Sequence, residues 1–250
     1  MATSCKRLQN INLEVLLMSK TNLEIIDMFK GLRVTDVRDG MDWLGYHHYG
    51  TVHHSIRPLY RDRLAVIGIA KTARYLPYEG PTPQVTGDEY TEWAEWYYEN
   101  VCTDPWGEEL EPGDFMCLDI CGLDVGLLGS NNTLRGIKKG AVGYITNGGG
   151  VRDTDECVIQ KVPIWSKFIS QPMDQARIRY HEMNIPIAIG GVAVYPGDLV
   201  VADGDGVVVV PRKLVDGVAK YAWQEASNDK KARRKLYIDL AMPLDETVDV

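Results

Sequence analysis

The alternation of short apolar segments with helical segments in the second half of the chain constrains the fold most. Phe115–Ile120 is typical of a buried strand, Asn131–Lys139 of a helix, and Ala141–Thr146 of a further strand. Short strands joined by Gly-containing turns then dominate, and they cover Ile185–Ile189, Val192–Tyr195, Leu199–Ala202 and Val207–Val210. Helices and strands that alternate early and strands that dominate late predict a mixed α/β sandwich rather than a barrel.

Helices are predicted at both ends of this sandwich. Thr21 and Glu24 have the pattern of a capping box in front of a first helix, which ends at Gly31. A second short helix begins at Thr35, and the last helix starts near Lys213. The sequence therefore predicts N-terminal helices and a C-terminal helix around the sheet.

We expect three parts along the chain. Residues 1–30 are predicted to form an N-terminal arm and helix, residues 31–227 one main domain, and residues 228–250 a C-terminal tail. An insertion near residues 76–112 interrupts the main domain. Its helical stretch, residues 87–101, mixes acidic with aromatic side chains and is expected to pack on another surface, such as a neighbouring subunit.

The charge balance narrows the possible functions. A formal net charge of −8 argues against a nucleic-acid-binding protein, which needs a basic surface. Any site for an anion must therefore be locally basic or built on a metal ion. Five cysteines without a CxxC pair, and no recognisable signal peptide, favour a reducing cytoplasm. The longest apolar run, around Val207–Val210, is too short to cross a bilayer.

A loop followed by a helix carries the first candidate site. Gly129 and Ser130 stand where the loop opens the predicted helix, ahead of Asn131 and Asn132. Backbone amides at a helix N-terminus lack intrahelical partners and lie at the positive end of the helix dipole. The sequence therefore predicts a cradle for an anion such as a carboxylate.

A glycine-rich turn with an Arg-Asp pair carries the second candidate site. Gly148, Gly149 and Gly150 follow the strand and allow close backbone approach to a ligand. Arg152 offers a bidentate clamp for a carboxylate or an enolate oxygen. Asp153 can bind a hard cation such as Mg²⁺, which takes few protein carboxylates and keeps several waters. Together with the loop, these residues fit a 2-oxo acid, although the turn and its pair also fit a surface hairpin with a salt bridge.

Other polar residues are candidates for contacts at the site. The adjacent pairs His47-His48 and His53-His54 are candidates for metal, substrate or interface contacts, although adjacent loop histidines seldom point the same way. Glu156, one turn after Asp153, is a candidate for orienting a water on the metal. Asp203 and Asp205 stand in a tight turn, where Asp-Gly is favoured for backbone reasons alone, and are candidates for supporting the metal site across a subunit interface.

The stretch GLLGSNNTLRGIKKGAVGYITNGGGVRDTDE, which begins at Gly126, resembles the RraA-like family. That family includes the class II 4-hydroxy-4-methyl-2-oxoglutarate/4-carboxy-4-hydroxy-2-oxoadipate aldolases. The similarity extends thinly over most of residues 30–225, through VTDVRDGMDWLG, SIRPL, PGDFMCLD and PGDLVVADGDGVVVVP. The resemblance implies a swivelling β/β/α sandwich, a homotrimer or homohexamer, and an aldolase that depends on Mg²⁺ or Mn²⁺ and forms no lysine Schiff base.

The resemblance also assigns roles to individual residues. Arg152 would hold the substrate and stabilise the enolate, and Asp153 would bind the metal directly or through its waters. The loop would bind the substrate through Gly129, Ser130, Asn131 and Asn132. Family aldolases often have an acidic residue about where Ser130 or Asn131 stands, and the turn here carries one extra glycine. The proton acceptor and the exact substrate therefore stay open.

The sequence thus predicts a lyase that cleaves a 4-hydroxy-2-oxo acid to pyruvate and a second carbonyl product, with oxaloacetate decarboxylation as a side activity. The intact Arg-Asp pair favours an enzyme, since ribonuclease-regulating members of the family are expected to lack that aspartate. The alternative is a non-catalytic oligomeric regulator that docks on other proteins through residues 87–101. The sequence does not choose between Mg²⁺ and Mn²⁺ or between trimer and hexamer.

Overall fold

The computed structural model describes residues 20–61 and 65–249, which combine helices at both ends with a central sheet. Most of the arm predicted over residues 1–30 lies outside the described residues. The helices are α1 (Asn22–Phe29), α2 (Val34–Asp42), α3 (Asp88–Asn100), α4 (Ser130–Lys139), α5 (Thr154–Ile159) and α6 (Val215–Asp239). The strands are β1 (Arg57–Pro58), β2 (Val66–Pro77), β3 (Asp114–Asp119), β4 (Gly143–Thr146), β5 (Ile164–Ser166), β6 (Ile178–Met183), β7 (Ile187–Ile189), β8 (Val192–Val194), β9 (Leu199–Ala202) and β10 (Val207–Val210).

Strand β2 organises the main sheet because its 12 residues pair on both sides. It runs parallel to β3 along one edge. Along the other edge, its first part is antiparallel to β9 and its last part is antiparallel to β6. The sheet order is β1-β5-β4-β3-β2-β9-β10, and β3, β4 and β5 are parallel neighbours. The carboxyl ends of β3 and β4 therefore meet at one edge, where the loops that follow them lie close together.

Helices α1, α2 and α6 cover one face of the sheet near β9 and β10. Helices α2 and α6 approach closely at Gly40, where an added Cβ would lie 2.6 Å from the carbonyl oxygen of Val218. A second apolar cluster surrounds β3 and β4 and includes the inserted helix α3 through its buried Tyr97. The hairpin β7–β8 packs on a third cluster.

The mixed α/β sandwich with N-terminal helices and a C-terminal helix is confirmed, but several elements differ in extent. Strand β2 continues beyond the polar Lys71-Thr72 where the sequence pattern ended it, because Thr72 is buried and its hydroxyl donates to the carbonyl of Ile185. Strand β6 was not predicted, since its charged residues hide the alternation of a strand.

Helix α6 is also longer than the sequence pattern indicated. It continues through residue 228, where the tail was predicted to start, and ends at Asp239. Its polar and charged residues keep it from being apolar throughout. Over residues 20–61 and 65–249, no helix combines the length and the apolar character needed to cross a lipid bilayer.

Candidate active site

The loop in front of α4 is held by the side chain of Asn132. Its Oδ1 accepts a hydrogen bond of 2.8 Å from the backbone amide of Gly129. Its Nδ2 donates over 2.7 Å to the carbonyl oxygen of Leu127. Asn132 thereby fixes the loop from both sides and gives α4 a defined start.

The glycine-rich turn after β4 runs alongside this loop. The amide of Arg152 donates to the carbonyl of Leu128 over 2.9 Å, and Val151 forms parallel bridges with Leu128 and Ile169. The aliphatic stem of Arg152 lies against Gly126, where an added Cβ would be 2.8 Å from Cδ of the arginine. Backbone pairing and the missing side chain at Gly126 together set the position of the guanidinium.

Asp153 occupies the left-handed region, with φ 54° and ψ 43°, immediately before α5. Aspartate tolerates this conformation better than most residues, but it still carries a small cost in free energy. Its Oδ2 accepts a 3.3 Å hydrogen bond from the amide of Ser130, and its Oδ1 lies 3.2 Å from Nε of Arg152. An added Cβ on Gly129 would lie 2.7 Å from Oδ2. Glycine at position 129 therefore leaves room for the carboxylate.

These groups open onto a cavity of about 580 Å³. Asn131 and Arg135 line it from neighbouring turns of α4. The cavity thus contains two guanidinium groups, those of Arg135 and Arg152, in a protein whose formal net charge is −8. The complete lining consists of Tyr98, Cys102, Asp104, Gly126, Leu127, Gly129, Asn131, Asn132, Arg135, Arg152, Asp153, Met173 and Asp174.

One wall of the cavity is built by the insertion together with Asp174. The hydroxyl of Tyr98 donates to Oδ1 of Asp174 over 2.7 Å, and Sγ of Cys102 lies 3.6 Å from Oδ2. Burial raises the pKa of Asp174, while the Tyr98 hydrogen bond and the charge of Arg152 act in the opposite direction. Both oxygens of this carboxylate are engaged, so Asp174 ties the insertion to the main domain.

Asp104 follows α3 and also faces the cavity. Its Oδ1 accepts a 2.6 Å hydrogen bond from the hydroxyl of Tyr75, which in turn accepts one of 2.8 Å from Nε1 of Trp106. Asp104 is exposed as a residue, but desolvation of its carboxyl at the cavity wall raises its pKa to about 6, and the negative charge of Asp174 adds to this effect. The Tyr75 hydrogen bond and the positive charge of Arg135 lower the pKa in part.

Asp153 has the features of a ligand for a hydrated cation. Each carboxylate oxygen accepts one hydrogen bond and retains a free lone pair, and the side chain is about one third exposed. Within residues 20–61 and 65–249, no group of three or more His, Cys, Asp or Glu side chains is arranged to hold a metal ion. Mg²⁺ commonly takes one or two protein carboxylates and completes its shell with water and substrate. The residues present therefore fit a water-rich site at Asp153.

The structure brings the predicted loop and the Arg-Asp pair together, with one correction. Gly129, Asn131, Asn132, Arg152 and Asp153 all line the cavity, and Ser130 contributes its amide. The expectation of free amides at Gly129 and Ser130 is wrong. The first amide bonds to Asn132 and the second to Asp153. These two amide donors therefore stabilise the loop and position Asp153.

Three acidic candidates lie outside the cavity lining in this chain. Glu156 is exposed on α5. Asp203 accepts hydrogen bonds from the amides of Val34 and Asp205, at 2.9 and 2.8 Å, so it caps α2 and stabilises its own turn. Asp205 belongs to that same turn.

The histidine pairs also lie outside the cavity lining. His47 lies 3.4 Å from Asp42, and His53 is 2.9 Å from the hydroxyl of Ser55. The rings of His53 and His54 contact each other, with centroids 4.0 Å apart. All four imidazoles are exposed.

Sequence reasoning missed the five further ionisable residues of the cavity, which come from the insertion, from α4 and from the segment before β6. They are Tyr98, Cys102, Asp104, Arg135 and Asp174. Arg135 could have been found, because it stands four residues after Asn131 and shares its helix face. The others could not, because the contact between Tyr98 and Asp174 joins residues 76 positions apart without a local pattern.

Comparison with known proteins places this geometry in a family. A family model described as RraA-like, Aldolase/RraA, matches residues 34–209. A protein of Halalkalibacterium halodurans, provisionally named 4-hydroxy-4-methyl-2-oxoglutarate aldolase, is 25% identical over 221 residues, which are 88% of this chain and 91% of that protein. The 4-hydroxy-4-methyl-2-oxoglutarate aldolase of Thermus thermophilus is 34% identical over 106 residues, which are 42% of this chain and 63% of that protein.

Solved structures support the fold. RraAS2 of Streptomyces coelicolor, described as an unusual member of the RNase ES inhibitor RraA protein family, has a TM-score of 0.67 and 24% identity, covering 86% of this chain and 98% of its own. A protein of Pseudomonas syringae has a TM-score of 0.67 and 22% identity, covering 91% and 99%. The family model matches well over half of the 250 residues of this chain, and the chain therefore belongs to the RraA-like (Aldolase/RraA) family.

Proposed function

We propose that this chain is a divalent-metal-dependent carbon–carbon lyase. It cleaves a 4-hydroxy-2-oxo acid to pyruvate and a second carbonyl product, and it decarboxylates oxaloacetate as a side reaction. The observation that carries the proposal is the carboxylate of Asp153, held by the Ser130 amide at 3.3 Å and beside Arg152 at a cavity of about 580 Å³. The relatives named as aldolases support the same reaction class.

Asp153 would hold Mg²⁺ or Mn²⁺ together with water molecules. When bound, such an ion supplies a Lewis acid for the oxygens of a 2-oxo acid. The exposed Glu156, on the first turn of α5, is a candidate for holding one of the waters. Asp203 and Asp205 would reach the site only from a neighbouring subunit.

Residues of the protein bind the substrate and stabilise the charge that develops during cleavage. The guanidinium of Arg152 binds the substrate carboxylate and stabilises the enolate oxygen as negative charge develops there. The side chain of Asn131 orients the same end of the substrate. A proton leaves the C4 hydroxyl, the C3–C4 bond breaks, and its electron pair forms the enolate of pyruvate. Protonation at C3 then releases pyruvate.

The proposed assembly is a homotrimer or a homohexamer, and the proposed compartment is the cytoplasm. The four cysteines in the described part of the chain are free thiols, which supports a reducing compartment. Small 2-oxo acids are the proposed substrates, and neither nucleic acid nor membrane is a proposed partner.

The test is a lactate-dehydrogenase-coupled pyruvate assay over several 4-hydroxy-2-oxo acids, with and without a chelator. We expect Asp153→Asn and Arg152→Ala to lower kcat/KM by about 100-fold or more. Arg179→Ala is a matched control, because Arg179 forms an ion pair with Glu79 outside the cavity lining. Full activity in either site variant, or no pyruvate from any substrate, would refute the proposal.

The second candidate function is a non-catalytic oligomeric protein-binding regulator. Its specific support is Trp96, which is 47% exposed on α3 among the acidic Glu92, Glu95 and Glu99. Exposed aromatic side chains on a helix are typical of binding surfaces. A regulator would release no pyruvate, and a Trp96→Ala variant would lose a protein partner while keeping its fold.

A further inference from the structure

The insertion delivers a further carboxylate to the cavity, that of Asp104. Asp104 follows α3 directly and lines the cavity with Arg135 and Asn131. The hydroxyl of Tyr75 holds its Oδ1 at 2.6 Å, and Trp106 holds that hydroxyl in turn. Tyr75 and Trp106 are both fully buried, so the carboxylate is fixed from a rigid part of the core.

The other two carboxylates of the cavity each have a protein partner on both oxygens. Asp153 receives the Ser130 amide on one oxygen and Arg152 on the other. Asp174 receives Tyr98 and Cys102. Among the described residues, the hydrogen bonds to Asp104 reach only Oδ1, so its Oδ2 remains available to a ligand.

The proposed reaction requires a group that accepts and returns a proton. The loop residues Ser130 and Asn131 carry neutral side chains. On the basis of the proposed lyase function, we propose that Asp104 is the proton-transfer residue of this cavity. Its carboxylate takes the proton from the C4 hydroxyl as the C4 carbonyl forms and the C3–C4 electron pair becomes the enolate. The resulting carboxylic acid returns that proton to C3, so pyruvate leaves and the carboxylate is regenerated.

The electrostatic surroundings are consistent with this role. A pKa of about 6 leaves Asp104 ionised at neutral pH and yet more basic than an ordinary aspartate. The groups that face it are Asp174, which raises the pKa, and Tyr75 and Arg135, which lower it. Cys102 lies on the same segment, and burial keeps its thiol protonated by raising its pKa.

The experiment compares Asp104→Asn with the wild-type enzyme on 4-hydroxy-4-methyl-2-oxoglutarate and on oxaloacetate. We expect kcat for cleavage of the first substrate to fall by about 100-fold or more, with KM within about threefold. Oxaloacetate decarboxylation is expected to fall by less than about tenfold, because it needs no hydroxyl deprotonation and its enolate can take a proton from water. Asp88→Asn, an exposed position on the same insertion, serves as the matched control.

A second readout needs no turnover. In metal-free protein labelled with ¹³C at aspartate, one carboxyl resonance is expected to titrate near pH 6 and to be missing in Asp104→Asn. The acid limb of the wild-type pH profile is expected to move to higher pH in Tyr75→Phe and to lower pH in Asp174→Asn. These opposite shifts follow from the removal of a hydrogen bond and of a negative charge, respectively.

The outcomes separate the two proposals. Wild-type pyruvate release together with unchanged cleavage in Asp104→Asn would overturn the role of Asp104 and leave the lyase function standing. Equal losses on both substrates would also overturn it, since they indicate a distorted cavity. If the wild-type protein released pyruvate from neither of these substrates nor from any other 4-hydroxy-2-oxo acid, the lyase function would fail and the role of Asp104 with it.

Discussion

The backbone amide of Ser130 donates a 3.3 Å hydrogen bond to Oδ2 of Asp153, joining residues 23 positions apart. This bond holds the aspartate at the start of α4, and Gly129 provides the space for it. Helix α4 therefore positions the proposed metal ligand, whereas the amides of Gly129 and Ser130 are not free to bind a substrate anion.

Gly129→Ala is expected to weaken metal binding without unfolding the protein. The new Cβ would lie 2.7 Å from Oδ2 of Asp153, so the carboxylate must move. We expect Mn²⁺ affinity, measured by electron paramagnetic resonance titration, to fall by about tenfold. Gly204→Ala is the control, because its Cβ would meet only the side chain of Arg61 at ordinary distances. Unchanged affinity in Gly129→Ala would contradict the proposed position of the metal.

Removal of divalent metal is expected to abolish pyruvate release while changing stability little. A hydrated ion held by one carboxylate contributes little binding free energy to the folded state. We expect chelator to shift the unfolding temperature by about 2 °C or less. Activity should return with Mg²⁺ or Mn²⁺. A large loss of thermal stability would instead indicate a structural metal with more protein ligands.

Gly40→Ala is expected to destabilise the fold at a distance from the cavity. Its Cβ would lie 2.6 Å from the carbonyl oxygen of Val218 and 2.9 Å from the amide nitrogen of Ala222, so α2 and α6 must separate. We expect the free energy of unfolding, from urea titration, to fall by about 2 kcal/mol. The activity of the remaining folded protein should be unchanged. Wild-type stability would show that the two helices pack less closely.

The sequence predicted the part of the site that depends on local pattern. The loop at Gly129 and the pair at Arg152 follow neighbouring parallel strands, so strand order alone brings them to one sheet edge. Asn132 was expected to bind the substrate; it lines the cavity, and its side chain also caps the loop. A capping residue and a ligand-binding residue look alike in sequence, because both are polar and stand at a helix start.

The insertion was recognised by its composition, but its contribution to the cavity was not. Tyr98 and Cys102 reach Asp174 across 76 and 72 positions, and no periodic pattern encodes such contacts. Strand β6 was missed for a related reason. It pairs with the far end of β2, and its burial does not alternate as that of a strand with one buried face would.

Asp104→Asn is expected to stabilise the protein at neutral pH and to leave its stability unchanged at pH 4. Asp104 is exposed as a residue, but removal of its carboxyl from water at the cavity wall raises the pKa of that carboxyl from its ordinary 3.8 to about 6 in the folded state. Below the ordinary pKa of 3.8 the carboxyl is protonated in both the folded and the unfolded state, and its contribution to stability is fully present. As the pH rises, the unfolded state ionises first, so this contribution is lost by the time the pH has passed about 6. Asparagine cannot ionise and keeps an oxygen for the Tyr75 hydroxyl. Urea unfolding of both proteins between pH 4 and pH 8 should therefore show a gap that opens between about pH 4 and 7. A gap that does not vary with pH would mean that the Asp104 carboxyl keeps an ordinary pKa in the folded protein, and an equal gap in Asp88→Asn would mean that the effect is not specific to Asp104.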